Sequence, residues 1–338
     1  KGWRGIGRFF LSALLAVGLA AAVLVPAAFS LSRGYGELDT SLLTFARKFV
    51  LPDMLTKLYT GSMSITQARD GLPNVYIGIP LLALPPFFFF SRSVRLRRRL
   101  VWLGLLVVFL LSLQISVLYY AWHAFERPTY YAARFAFVIS FTLIELAWLG
   151  YKELEAFPGK KRRLVAGISA AVFAAMTVLL FRHLSIDYLS YRTIAVDLGV
   201  FLITCALIAG RGRFKRRTFW LLLICGLQAG CLLLNAYYPI ARLREKDYIP
   251  AADYTAVTER AAAAVERVQA ADGGVYRMEM NNQLTDDDPM LYGYAGITNS
   301  ASDVNRTWMD FANALGFQEI SFRTKYENGA SPVAESVF

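Results

Sequence analysis

The sequence predicts a polytopic α-helical membrane protein with about seven transmembrane helices and a C-terminal α+β extracytoplasmic module. Three observations lead there. The chain has 338 residues, 56% of them hydrophobic, and its mean hydropathy is +0.40. Its apolar residues fall in runs matching the roughly 20 helical residues that cross about 30 Å of hydrocarbon. Four Lys/Arg clusters occupy every second gap between those runs.

The expected spans lie near 9–31, 75–90, 100–120, 131–149, 164–181, 194–210 and 218–235. The second contains Pro80, Pro85 and Pro86, but removing it would put two adjacent basic clusters on opposite sides. The clusters are Lys1/Arg4/Arg8, Arg92–Arg99, Lys152–Arg163 and Arg211–Arg217. Short basic loops resist translocation, so these are expected in the cytoplasm. Residues 32–73, 121–130, 182–192 and 236–338 are then expected outside, across a cell membrane crossed many times.

Charge divides the chain into an expected transmembrane domain, 1–240, and an extracytoplasmic module, 241–338. The first carries a net +17 and the second −6, from the overall +11. The positive excess therefore reads as orientation and contact with anionic lipids. It does not read as nucleic-acid binding, because it is dispersed among short loops. Cys205, Cys225 and Cys231 all lie in apolar spans and are expected to be small buried thiols. The chain lacks an initiator Met and reads as an excerpt of a longer protein, with the module truncated.

In the first outer loop, Leu42–Leu51 places Leu42, Phe45, Ala46, Phe49 and Val50 on one helical arc, predicting an interfacial amphipathic helix. In the module, Ala251–Ala271 predicts a helix stopped by Gly273-Gly274, and Val275–Met280 a half-buried strand. A helix near Asp303–Leu315 and a strand at Glu319–Arg323 follow. Asp286-Asp287-Asp288 lacks a spaced ligand set and reads as a solvated loop.

The densest polar segment is Trp122-His123-Ala124-Phe125-Glu126-Arg127-Pro128, followed by Tyr130, Tyr131 and Arg134. Arg binds phosphate through two parallel hydrogen bonds, and His donates near neutral pH. An anionic headgroup site and an interfacial aromatic belt fit this segment equally well. Glu145 and Asp197 are acidic residues inside spans, and such residues mark function by default. Asp197 lies near the outer end of its span and suits an outward-facing cavity; hydrogen bonding between helices is the alternative.

Trp122-His123-Ala124-Phe125, Pro128 and Arg134-Phe135-Ala136-Phe137 resemble the WHGF…P…YRFSF signature of bacterial YfhO-family membrane proteins. Gly71–Gly78, with Pro73-Asn74-Val75-Tyr76-Ile77-Gly78, resembles that family's PNIYVG motif. Tyr292–Ile297 with Ser300 and Asn305 is similar to a third family motif. Ala124 and Ala136 depart from the family's Gly and Ser, leaving His123 and Arg134 in register.

The resemblance implies a GT-C-type glycosyltransferase. It would move a sugar from a polyprenyl-phosphate donor to a cell-envelope polymer of the teichoic or lipoteichoic acid type. His123, Arg127 and Arg134, with Asn74, Tyr76 and Asp197, become the expected substrate-binding residues. The family's catalytic base is expected before Lys1 and is not assigned here. A divalent cation is compatible with a phosphate donor, and the cofactor is left open. A lipid or polysaccharide transporter and a membrane-anchored carbohydrate-binding protein are the competing functions.

Overall fold

A computed structural model describes residues 2–32, 41, 43–47, 51–64, 67, 71–123, 125, 128, 131, 133–183, 188–241, 249–280, 285, 287–296, 298–300, 306–314, 318–320 and 323–325. The chain forms two compact units. One comprises Lys1–Glu37 with Ile249–Phe338, and the other Leu38–Tyr248.

In the first unit, helix α1 (Gly2–Ser32) is 31 residues long and apolar on all sides, as a lipid-facing helix must be. The larger unit contains α2 (Leu51–Leu55), α3 (Pro85–Phe90), α4 (Leu96–Gln114), α5 (Ser116–Ala121), α6 (Phe137–Leu154), α7 (Gly159–His183), α8 (Tyr191–Ala209) and α9 (Arg217–Ala241). Among the described residues, five helices are long and apolar enough to cross a membrane: Trp3–Ser30, Arg134–Leu154, Gly159–Phe181, Tyr191–Ala209 and Arg217–Ala241.

Two of the seven expected spans take another form. The span at 100–120 breaks at Ile115, whose extended backbone separates α4 from α5. The expected amphipathic helix at Leu42–Leu51 does not form over the described residues 43–47, which supply backbone partners to that break. The Ala46 carbonyl accepts from Ser116 N–H at 3.0 Å and the Thr44 carbonyl from Val117 N–H at 2.9 Å.

The span at 75–90 is not a single helix. Residues 74–79 lie outside regular secondary structure, Pro80–Ala83 makes a 3₁₀ turn, and α3 follows. Pro80, Pro85 and Pro86 lack N–H donors and would interrupt one continuous helix. Irregular backbone at membrane depth is tolerated only where protein surrounds it. Here it is surrounded: Ile79, Ala83 and Phe87 are each 0% exposed, in a cluster with Phe157, Phe173, Phe201 and Trp220. The Gln228 amide on α9 donates to the Ile77 carbonyl at 2.7 Å, answering one of the irregular segment's backbone groups.

This segment is also tied to α9 at its start and to α6 after its end. At its start the Tyr76 hydroxyl donates to the Cys231 carbonyl, in the C-terminal half of α9, at 3.3 Å. After its end Ser91 donates to Glu153, near the C-terminus of α6, at 2.7 Å. At Gly150 the packing is so close that a Cβ would lie 2.0 Å from the Leu84 carbonyl oxygen.

Three of the basic clusters meet at one end of this unit. Glu155, just after α6, pairs with Arg211 at 3.3 Å and Arg217 at 3.4 Å. Arg217 also donates to the Tyr151 hydroxyl at 2.7 Å. Ser91 and Ser93, flanking Arg92, both donate to Glu153. Three of the four basic clusters thus share one end of this unit.

In the first unit, α10 (Ala251–Ala271) has the expected limits, and its last turn closes with Asp272 N–H on the Val268 carbonyl at 3.1 Å. Val275–Met280 forms no strand. Its recorded backbone link is Met278 N–H to the Ala295 carbonyl at 3.0 Å, too little for a ladder. Next come α11 (Asp288–Tyr292), β1 (Asn299–Ser300), α12 (Arg306–Ala314), β2 (Gln318–Ile320) and β3 (Arg323–Lys325). The strands pair antiparallel in the order β1-β3-β2.

Asp288 corrects the reading of the aspartate run as solvated. It is 0% exposed, and its Oδ1 accepts from the Thr285 N–H and hydroxyl, each at 2.8 Å. Asp286 lies outside the described residues. Cys205 and Cys231 are buried free thiols as expected, whereas Cys225 is exposed on the apolar surface of α9.

Candidate functional site

Opposite the basic loops, polar side chains converge from several elements. Asp197 sits early in α8, 2% exposed, and accepts from Thr60 twice: from its N–H at 2.6 Å and from its hydroxyl at 2.7 Å. The Thr60 hydroxyl is also 2.8 Å from that of Tyr76. Tyr76 and Asp197, separately singled out in the sequence, are therefore joined through Thr60. Asn74 is exposed and turns its own backbone, its Oδ1 accepting Tyr76 N–H at 3.2 Å.

The loop bearing Thr60 is fixed from several sides. Gly61 N–H donates to the Asn235 side chain on α9 at 2.9 Å, and the Tyr59 hydroxyl meets that of Thr177 on α7 at 2.8 Å. Burial pushes the Tyr59 phenol up to about 12, with the neighbouring Asp197 carboxylate adding to the shift. Lys57 is 0% exposed. Its Nζ donates to the Ser62 carbonyl at 2.6 Å and Gln67 Oε1 at 2.7 Å, and lies 4.3 Å from the Tyr188 ring centre. Burial lowers this ammonium to about 8.

Beside Asp197, a cavity of about 450 Å³ opens between α8 and α9. Its walls include Val200, Leu227, Leu234 and Cys231, with Gly226 and Gly230 making room. The lining suits hydrocarbon, with one carboxylate at its edge.

A second constellation contains His123 and Arg134. The Trp122 and Phe135 rings stack at 5.0 Å and 9°, and His123 packs 5.0 Å from Tyr119 and 5.9 Å from Phe135. Ala133 N–H donates to the Tyr119 hydroxyl at 2.9 Å. Ala133 is left-handed at φ 56°, which turns the chain into the 3₁₀ turn carrying the exposed Arg134 at the head of α6. Phe125 (φ 62°) and Tyr131 (φ 50°) are also left-handed. Such residues are uncommon outside glycine, and strain of this kind concentrates at functional sites. Arg127 lies outside the described residues.

The two constellations share one segment. Val75 packs in the aromatic cluster with Tyr119 and Phe135, while its neighbour Tyr76 bonds to Thr60. Lys57, Thr60, Gln228 and Asn235 were not singled out in the sequence. Gln228 and Asn235 had a legible signal, as polar residues within an apolar span. Lys57 and Thr60 had none, since burial of a loop residue has no sequence period. Among the described residues, no group of three or more His, Cys, Asp or Glu could hold a metal ion.

The model of a family described as "Bacterial membrane protein YfhO" matches residues 1–338. Comparison with curated proteins and with solved structures gave no match.

Proposed function

The chain belongs to the YfhO family of bacterial membrane proteins, and from that premise we propose that it is a GT-C-type glycosyltransferase working on the outer face of the membrane. The donor is a sugar on a polyprenyl phosphate, and the acceptor is a hydroxyl of an envelope polymer of the teichoic or lipoteichoic acid type. The acceptor oxygen forms a bond to the anomeric carbon as the bond from that carbon to the phosphate oxygen breaks. Polyprenyl phosphate leaves with the electron pair, and the acceptor's proton passes to a base that is not assigned.

The observation that carries the reading is Arg134, set by a left-handed turn at the head of α6 beside Phe135, whose ring lies 5.9 Å from that of His123. Its end of α6 is opposite the end where Glu155 binds the basic loops. A guanidinium and an imidazole in this position stabilise the negative charge that grows on a departing phosphate. Asp197 acts as a positioning residue, holding the Thr60 loop against Tyr76. Seven crossings remain our reading of the topology, with the irregular segment ending in α3 as the second and α4–α5 as the third.

The test is incubation of the purified full-length protein with polyprenyl-phosphate sugar and acceptor polymer. Release of polyprenyl phosphate together with acceptor glycosylation supports the proposal. A transporter or a carbohydrate-binding protein would yield neither product.

A further inference from the structure

At the end that carries the basic loops, a cavity of about 370 Å³ opens between the Ser91–Ser93 turn and the start of α7. Its lining has two chemistries. Arg92 and Lys161 contribute exposed cations, while Phe90, Leu164, Val165 and Ile168 contribute hydrocarbon. Lys161, Leu164, Val165 and Ile168 fall at helical spacing on one face of α7, so charge gives way to hydrocarbon within two turns. Phe90, Leu164 and Ile168 are 58%, 62% and 45% exposed.

The carboxylates at this end are engaged elsewhere. Glu153 accepts from Ser91 and Ser93, and Glu155 pairs with Arg211 and Arg217. Among the described residues, neither Arg92 nor Lys161 is paired with a carboxylate. The matching ligand is anionic at one end and apolar at the other.

We propose that this cavity seats the phosphate end of an anionic diacyl phospholipid of the cytoplasmic leaflet on Arg92 and Lys161, with the upper part of one acyl chain along Leu164 and Ile168 and the rest of the lipid in the bilayer. A soluble phosphate uses only the cationic half. Diffuse attraction between basic loops and an acidic bilayer treats all exposed Lys and Arg alike, whereas this site separates Arg92 and Lys161 from their neighbours. The assignment is independent of the glycosyltransferase reading and concerns the opposite end of the bundle.

Native mass spectrometry of the detergent-solubilised protein, titrated with phosphatidylglycerol or with phosphatidylcholine of the same chains, tests it. Phosphatidylglycerol is expected to bind preferentially. R92Q/K161Q, at two exposed positions, should weaken it about tenfold, while R97Q/K160Q, also exposed, should weaken it less than about twofold. Unchanged elution on size exclusion verifies folding. Ile168→Gln, which keeps both cations, should also weaken binding; no effect removes the hydrocarbon half of the proposal. Equal binding of phosphatidylcholine, equal loss in both double variants, or displacement of the lipid by equimolar glycerol 3-phosphate would overturn it.

Discussion

Asp197 holds Thr60 by two hydrogen bonds at once, 2.6 Å to the backbone N–H and 2.7 Å to the hydroxyl, at a position 2% exposed. One carboxylate on a transmembrane helix thereby fixes a loop remote in sequence. Asp197→Asn keeps the shape but offers one acceptor and an NH₂ donor, so the Thr60 hydroxyl must turn its proton to the Tyr76 hydroxyl, and both bonds to a carboxylate become bonds to a neutral amide. A hydrogen bond to a charged group contributes about 1.5–3 kcal/mol against about 0.5–1.5 for a neutral one, so the melting temperature in detergent should fall modestly. Thr60→Val strips a buried carboxylate oxygen of its hydroxyl donor, a loss of about 1–3 kcal/mol or more, and should cost more. An unchanged melting temperature in both variants would contradict the anchoring role.

Gly150 is the corresponding constraint near the other end. A Cβ there would stand 2.0 Å from the Leu84 carbonyl oxygen and 2.6 Å from its carbon. Backbone cannot rotate aside as a side chain can, so Gly150→Ala must push α6 away from the Leu84 segment. Overpacking of this kind costs typically about 1–3 kcal/mol, sometimes more. The expected result is a lower melting temperature and faster proteolysis; Gly167→Ala, where a Cβ meets nothing within 4 Å, should be near neutral.

The sequence revealed the parts of this fold that repeat and concealed those that depend on distant partners. Charge rhythm marked the loops that Glu155, Arg211 and Arg217 draw together. Apolar length marked α1, α6, α7, α8 and α9. It misread 75–90 as one helix because hydropathy registers burial, not backbone geometry. Ile79 and Phe87 are buried whether the chain is helical or extended. The wheel over Leu42–Leu51 failed for a related reason: the segment's partner is the break at Ile115, which local periodicity does not disclose. Within the site, motif and polarity identified Tyr76, Asp197, His123 and Arg134. Thr60, which joins two of them, is an ordinary loop threonine until α8 is placed beside it.

The proposed sugar transfer is tested most directly at Arg134. It is exposed at the head of α6, so Arg134→Ala should leave folding intact while lowering transfer on the order of 10²–10³-fold, the range for removal of one charge-stabilising donor. Arg134→Lys keeps the charge but loses the planar fork, and should retain part of the activity. Measured release of polyprenyl phosphate at near wild-type rate in the alanine variant would remove Arg134 from the site.

Orientation is open to a direct chemical test. Ala121 and Gly212 are both exposed, one beside His123 and the other among the Arg211–Arg217 basic loop. In a Cys225→Ser background, Ala121→Cys should react with a membrane-impermeant maleimide on intact cells. Gly212→Cys should react only once the cells are permeabilised. The reverse pattern would place the His123 cluster in the cytoplasm and end the outer-face reading.

Lys57 should leave a signature in the pH dependence of stability. Burial lowers its ammonium from 10.5 to about 8. Between those values the unfolded chain holds the proton more fully than the folded one, so stability rises with pH, by at most about 1.4 kcal/mol per unit for one proton. Tyr59 acts in the opposite sense: its phenol is raised to about 12, while an unfolded tyrosine ionises near 10, so stability falls at higher pH. The measurement therefore belongs between pH 8 and about 9.5, before tyrosine ionisation intrudes. Melting temperature should climb through that range in the wild type. Lys57→Met deprives the Ser62 carbonyl and Gln67 of their donor and should lower stability at pH 7, yet its slope between pH 8 and 9.5 should be flatter. Equal slopes in the two proteins would mean that Lys57 titrates alike in the folded and unfolded chain.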